Sequence, residues 1–140
     1  MNKKYIIHTD GGSRGNPGPA AIGVVIDEKN AAGDVINVKE YNECIGVNTN
    51  NQAEYMAILW ALNYCKVNGF KDIECYLDSE LVVKQLNGEY KIKDAGLSKI
   101  AAKIFIIKQS FDKCVFIHVR REFNKEADRL VNEALDGESL

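Results

Sequence analysis

The sequence predicts one α/β domain over residues 1–140, a five-stranded mixed sheet flanked by helices. Three observations predict it. Strand-like runs rich in Ile, Val, Tyr and Thr alternate with segments of helical periodicity in the order βββαβααβα. The first three extended runs are joined without helices, which predicts an antiparallel meander. A helical run then separates the third strand from the fourth, so the fourth lies parallel to the first through a crossover.

Lys4–Asp10 reads as the first strand, rich in Tyr, Ile and Thr. A loop follows over Gly11–Pro19, where both prolines and four of the eleven glycines fall. Ala20–Asp27 is the second strand, Asn30–Asp34 a turn, and Val35–Gly46 a third strand of mixed polarity at an edge. Asn50 to Asn68 is a helix, with Ile58, Ala61, Leu62 and Cys65 at helical spacing and Gly69 ending it. Trp60 in this helix reads as core. Asp72–Asp78 alternates as a strand. Ser79–Asn87 is a short helix stopped at Gly88, and Leu97–Phe111 a longer amphipathic one. Cys114–Arg120 is the last strand. Asn124–Leu135 is the final helix, with Asn124 as its cap and Ala127, Leu130, Val131 and Ala134 as its apolar stripe.

Composition excludes several classes. Hydrophobic residues make up 46% and charged residues 27%, a globular balance. No apolar run approaches the ~20 residues that span a bilayer. The start Met1–His8 lacks the apolar core of a signal peptide. Cys44, Cys65, Cys75 and Cys114 form no C-x-x-C, and His8 and His118 stand at no zinc-finger spacing. Free thiols in a reducing, cytoplasmic setting are expected. Net charge is −2, yet six lysines lie between Lys84 and Lys108 against Glu89 and Asp94. Six acids lie between Glu122 and Leu140 against Lys125 and Arg129. A polyanion partner that also needs a cation fits this division; so does a solvated lysine-rich helix face.

The topology brings acids together. Asp10 ends strand one and Asp78 ends strand four, so neighbouring strands would place them roughly 5 Å apart. Ligands in α/β sheets bind outside such carboxyl ends. Glu54 lies in the first turn of the first helix, on the stripe of Ile58, Ala61 and Cys65, where solvation does not explain an acid. Asp128 lies in the first turn of the last helix and joins the others if strand five runs parallel to strand four. The two intervening helices leave that direction open. Clustered carboxylates repel, and a divalent cation relieves the repulsion; all-oxygen ligands select Mg²⁺ or Mn²⁺ over zinc.

The segments Ile7–Gly12, Gly15–Pro19, Thr49–Glu54, Leu77–Ser79 and Glu126–Leu130 resemble, in order and over nearly the whole chain, type I ribonuclease H. Leu81–Tyr90 resembles its compact archaeal, bacterial and plant branch. The resemblance implies a ribonuclease H-like domain with strands four and five parallel to strand one. It implies endonucleolytic hydrolysis of the RNA strand of RNA–DNA hybrids, leaving 3′-hydroxyl and 5′-phosphate ends, with no membrane and no obligate protein partner. Asp10 would bridge two Mg²⁺ ions, with Mn²⁺ able to substitute. Asp128 would help hold the ion that activates the attacking water, and Glu54 and Asp78 the ion at the leaving 3′-oxygen. Gly11, Gly12, Asn16, Asn50 and Asn51 would contact the hybrid, the glycines by letting it approach closely, and Thr49 would help form a pocket for a DNA-strand phosphate. Helix capping is the other reading of Asn50 and Asn51.

Two features depart from the wider family. No mobile loop with a catalytic His precedes the last acidic helix. His118 lies on the strand and reads as packed, and Arg121 is the candidate to assist at the phosphate or leaving group. No basic protrusion follows the fourth strand's helix; Gly88–Gly96 leads directly to the next helix. A phosphate loop lacks its G-K-[ST], and a serine hydrolase lacks its elbow. A binding module without catalysis is disfavoured because all four acids are present. A domain cut from a reverse transcriptase stays open, although the start at Met1 and the one-domain length are expected of a free-standing enzyme.

Overall fold

Hydrogen bonding in the computed structural model, which describes residues 3–139, arranges five strands in the order β3-β2-β1-β4-β5. The expectations touching residues 1, 2 and 140 (no leader at Met1 and Asn2, and the last residue of the acidic segment) lie outside the described residues. The strands are β1 (Lys4–Ser13), β2 (Gly18–Lys29), β3 (Val35–Asn48), β4 (Asp72–Leu77) and β5 (Lys113–His118). The helices are α1 (Asn50–Val67), α2 (Glu80–Leu86), α3 (Ala95–Lys108) and α4 (Lys125–Ser139), with a 3₁₀ turn at Arg121–Phe123 before α4. β1 to β3 form the antiparallel meander, and β4 is parallel to β1. β5 is parallel to β4. The helices α2 and α3 therefore act as one crossover rather than a reversing pair, with α3 packed on α1.

The first hairpin is longer than the sequence suggests. Gly11, Gly12 and Ser13 pair with Ile22, Ala21 and Ala20, so β1 continues three residues past Asp10 and the loop shrinks to residues 14–17. Asp78, expected as the end of strand four, lies one residue beyond β4. α1 begins with a reciprocal cap: Thr49 Oγ1 accepts from Gln52 N at 3.1 Å and Gln52 Oε1 accepts from Thr49 N at 2.9 Å. Asn50 is therefore not the cap. Gly69 follows α1 at φ +74°, where only glycine is unstrained.

One face of the sheet packs on α1 and α3, with Ile7, Ile58, Leu62, Ile73 and Ile104 fully buried between them. Trp60 is half-buried at the margin and stacks on Tyr41 at 3.9 Å between ring centroids. The other face carries α4, seated through Val131 and Leu135 on Ala21. Among the described residues no helix is long and apolar enough to cross a membrane.

Two glycines set how closely the helices sit. A Cβ on Gly11 would lie 2.2 Å from the Ala53 carbonyl carbon and 2.4 Å from the Glu54 nitrogen. A Cβ on Gly23 would lie 2.3 Å from the Ala127 carbonyl oxygen. Gly23 is the cross-strand partner of Asp10, and Gly11 is the next residue along β1. The first turns of α1 and α4 thus press onto the sheet on either side of Asp10. The missing Cβ of Gly11 makes room for the first turn of α1.

Gly11→Ala and Gly23→Ala should each cost about 3 kcal/mol or more, because backbone rather than a flexible side chain blocks the new methyl. Gly12→Ala, whose Cβ would find its nearest atom at 3.6 Å, should cost under about 1 kcal/mol. Urea midpoints at constant m check the contrast; equal midpoints for all three would contradict it.

Candidate active site

The parallel register of β1 and β4 runs from Tyr5↔Ile73 to His8↔Tyr76. Continued by two residues, it brings Asp10 level with Asp78. Glu54 arrives from α1, held down by the contact of its backbone with Gly11. Asp10, Glu54 and Asp78 each offer a carboxylate oxygen, and these atoms lie within 4.8 Å of one another. Asp128 lines the same cleft, close enough for its charge to act on the Asp10 carboxyl. The direction of β5, which the residue pattern left open, puts the first turn of α4 at this rim. All four acids line a single open cleft of about 450 Å³.

Burial and like charge act together here. Burial is the largest cause pushing the Asp10 carboxyl up to about 8, followed by the charges of Asp78, Glu54 and Asp128. Burial likewise pushes Glu54 up to about 7, with Asp78 adding to it, while a hydrogen bond from Ser79 and the charge of Arg121 oppose the shift. Glu54 Oε2 is buried without a hydrogen-bond partner. Crowded carboxylates with an unpartnered buried oxygen form an all-oxygen donor set that fits a hard divalent cation.

The other predicted residues divide. Arg121, Gly11, Gly12, Asn50 and Asn51 line the same cleft as the acids. Asn16 and Thr49 do not line it. Asn16 Oδ1 accepts from the Asn50 N–H at 3.0 Å, and Thr49 is occupied as the α1 cap. Asn50 Oδ1 accepts from the Ser13 backbone N–H at 2.8 Å, pinning the end of β1 to the start of α1. His118 is exposed rather than packed: it shares the sheet face of the buried Cys114 and Phe116 but is the last residue of β5, and it does not line the cleft. None of the four cysteines forms a disulfide; Cys65, Cys75 and Cys114 are buried, and Cys44, half-buried, donates to the Ala134 carbonyl at 3.1 Å.

Three residues were missed. Ser79 hydrogen-bonds Glu54 while its hydroxyl also accepts from Val82 N at 3.3 Å. Asn132 Nδ2 donates to the Asp128 carbonyl at 3.1 Å and to Asp128 Oδ2 at 3.4 Å. Its position four residues after Asp128 was the available signal. Asn124 sits where a cap was expected, but its side chain turns into the protein. Its Nδ2 donates to Thr9 O at 2.9 Å and to Asp78 Oδ2 at 3.2 Å.

Residues 8–134 match the family profile described as reverse transcriptase-like. The chain is 46% identical over 127 residues to the Ribonuclease HI of Halobacterium salinarum, covering 91% of this chain and 62% of that protein. It is 37% identical to a bifunctional protein of Mycobacterium tuberculosis, covering 95% of this chain and 36% of that protein. The chain thus spans between about a third and two thirds of the length of these relatives. Among solved structures, LC11-RNase H1, isolated from compost, is 44% identical in its complex with RNA/DNA hybrid. That likeness has a TM-score of 0.88 and covers 98% of this chain and 100% of that one.

A raised carboxyl pKa means that the folded state binds its proton more tightly than the unfolded state. Metal-free protein should therefore lose stability as pH rises from about 4, where the unfolded carboxyl titrates, through about 8. Asp10→Asn removes that ionisation. Without metal, the variant should melt about 5 °C or more above the parent at pH 9 and close to it at pH 3, below the unfolded pKa, the gap reflecting ~2 kcal/mol. Mg²⁺ should raise the melting temperature of the parent at pH 9 and leave the variant nearly unmoved. Calorimetry at both pH values checks this; a pH-independent gap would contradict it.

Proposed function

Because the chain belongs to the type I ribonuclease H family, we propose that it is an endonuclease that hydrolyses the RNA strand of RNA–DNA hybrids. Residues 1–140 would form one ribonuclease H-like domain acting in the cytoplasm, a setting consistent with four cysteines that form no disulfide. The observation that carries the reading is the convergence of Asp10, Glu54 and Asp78 within 4.8 Å, with Asp128 lining the same cleft open to solvent. A relative with the same fold, 44% identical, has been captured on an RNA/DNA hybrid.

The four carboxylates would hold Mg²⁺, or Mn²⁺ in its place. Asp10 would be shared between two ions, Asp128 would serve the one at the attacking water, and Glu54 and Asp78 the one at the leaving 3′-oxygen. Two such ions, when bound, lower the pKa of water and neutralise charge at the leaving oxygen, giving 3′-hydroxyl and 5′-phosphate ends. The protein's own groups do the rest. Burial strips water from Asp10 and Glu54, so their charge is best satisfied by a cation. Asn50 and Asn51, at the open side of the cleft, suit a 2′-hydroxyl, which both donates and accepts. Glu54 can also accept from that hydroxyl. Asn16 serves through its bond to Asn50, and the uncrowded backbone of Gly12 can meet the RNA strand. Gly11 contributes by seating Glu54. Thr49, at the α1 cap, would present its helix end to a DNA-strand phosphate. Arg121 lines the cleft and its charge opposes the raised pKa of Glu54, which supports a role for it as a cation at the phosphate or leaving group.

Labelled hybrid incubated with Mg²⁺ should lose its RNA strand, while single-stranded RNA and both homoduplexes stay intact. Asp10→Asn should abolish this cleavage and leave hybrid binding within about threefold. An intact hybrid with the parent protein, or a variant cutting at the parental rate, would overturn the reading. Arg121→Ala should lower kcat by about tenfold or more; a turnover unchanged within about twofold removes Arg121 from the mechanism.

A further inference from the structure

We infer that Asn124 is a positioning residue that braces the carboxylates at the separations a metal requires. The inference rests on reading those acids as metal ligands. Asn124 is 1% exposed. One Nδ2 proton goes to the carbonyl of Thr9, the residue before Asp10 on β1, at 2.9 Å. The other goes to Asp78 Oδ2 at 3.2 Å. The Asn124 backbone carbonyl accepts from the Asp128 N–H at 3.1 Å, and its own N–H donates to the Arg121 carbonyl at 3.0 Å. One residue thus ties the strand of Asp10, the side chain of Asp78, the helix turn of Asp128 and the turn bearing Arg121. Asp78 stands on the bend beyond β4, where no ladder restrains it, so the Asn124 donor is what holds its carboxylate in place.

The chemistry explains why this residue is an amide. An amide donates two hydrogen bonds without carrying charge, so it holds Asp78 and leaves its negative charge available to a cation. Lysine or arginine would neutralise the carboxylate and compete with a metal. Aspartate would add another negative charge to the cluster, and serine has a single proton to give. The orientation of the amide is dictated by its partners, since a flip would set its carbonyl against the Thr9 carbonyl and the Asp78 carboxylate. Its Oδ1 is left buried without a partner. The residue gives up satisfaction of its acceptor to keep both donors in place, which an ordinary cap would not do.

The test uses the metal-free 140-residue chain titrated with Mn²⁺ and followed by electron paramagnetic resonance, beside steady-state cleavage of hybrid with Mg²⁺. Asn124→Ala should weaken Mn²⁺ binding about tenfold or more and lower kcat comparably, with KM for hybrid within about threefold. Asn124→Leu keeps the volume and removes the donors. It should lose as much as the alanine variant, and parental Mn²⁺ affinity in it would overturn the brace by showing that packing suffices. Should both variants fail to fold, the side-chain amide protons of Asn124 in labelled parent protein decide. They should exchange slowly and shift on Mg²⁺ addition, and protons that stay unmoved overturn the inference. Parent protein that binds no Mn²⁺ and cuts no hybrid overturns the reading of the site, and the brace with it. Parent protein that does both while the variants match it overturns the brace alone.

Discussion

The site depends on two places where the sheet carries no Cβ. Gly11 on β1 and Gly23 on β2 let the backbones of α1 and α4 approach to distances that any side chain would block. The acids follow directly. Glu54 is the residue whose nitrogen faces Gly11, and Asp128 follows Ala127, whose carbonyl faces Gly23. Asp10 lies between these contacts, next to Gly11 along β1 and opposite Gly23 across the hairpin. Close backbone approach converts two helix ends and a strand into a cluster of carboxylates.

Such a cluster opposes folding. Its members are partly desolvated and repel one another, and the raised pKa values of Asp10 and Glu54 express that cost. The apolar layers on either face of the sheet hold the arrangement in place, with Ile7, Ile58 and Ile73 on one side and Ala21 and Val131 on the other. Stability stored in the layers is spent at the rim, where a divalent cation can recover part of it.

The polar framework around the acids is built largely from neutral amides. Asn50 and Asn16 join the end of β1 to α1, Asn132 fastens Asp128, and Asn124 fastens Asp78. Amides fix geometry without removing charge, so the carboxylates stay rigid and negative together. Of the two cations lining the cleft, Arg14 is paired with Asp136, whereas Arg121 faces Glu54.

Much of this could be read from the chain alone, because it follows from local periodicity. Element order brought Asp10 and Asp78 to one edge of the sheet on the condition that strands one and four are neighbours, which they are, although β1 runs on to Ser13 and β4 stops at Leu77. Helical spacing placed Glu54 on a buried stripe. The direction of β5 was not legible from the residues, because it depends on how α2 and α3 pack and not on their own patterns. The resemblance supplied it, and with it the place of Asp128. The extension of β1 through Gly11–Ser13 was hidden for a similar reason: glycines signal a loop until a partner strand is known to pair with them. Asn124 shows the division most plainly. Its neighbours in sequence make it a helix cap, whereas its side chain bonds partners 115 and 46 residues away. Local sequence determines which conformations a segment favours. Which buried donor meets which distant acceptor is decided only when the layers close, because that choice is made by desolvation, and desolvation is a property of the packed whole.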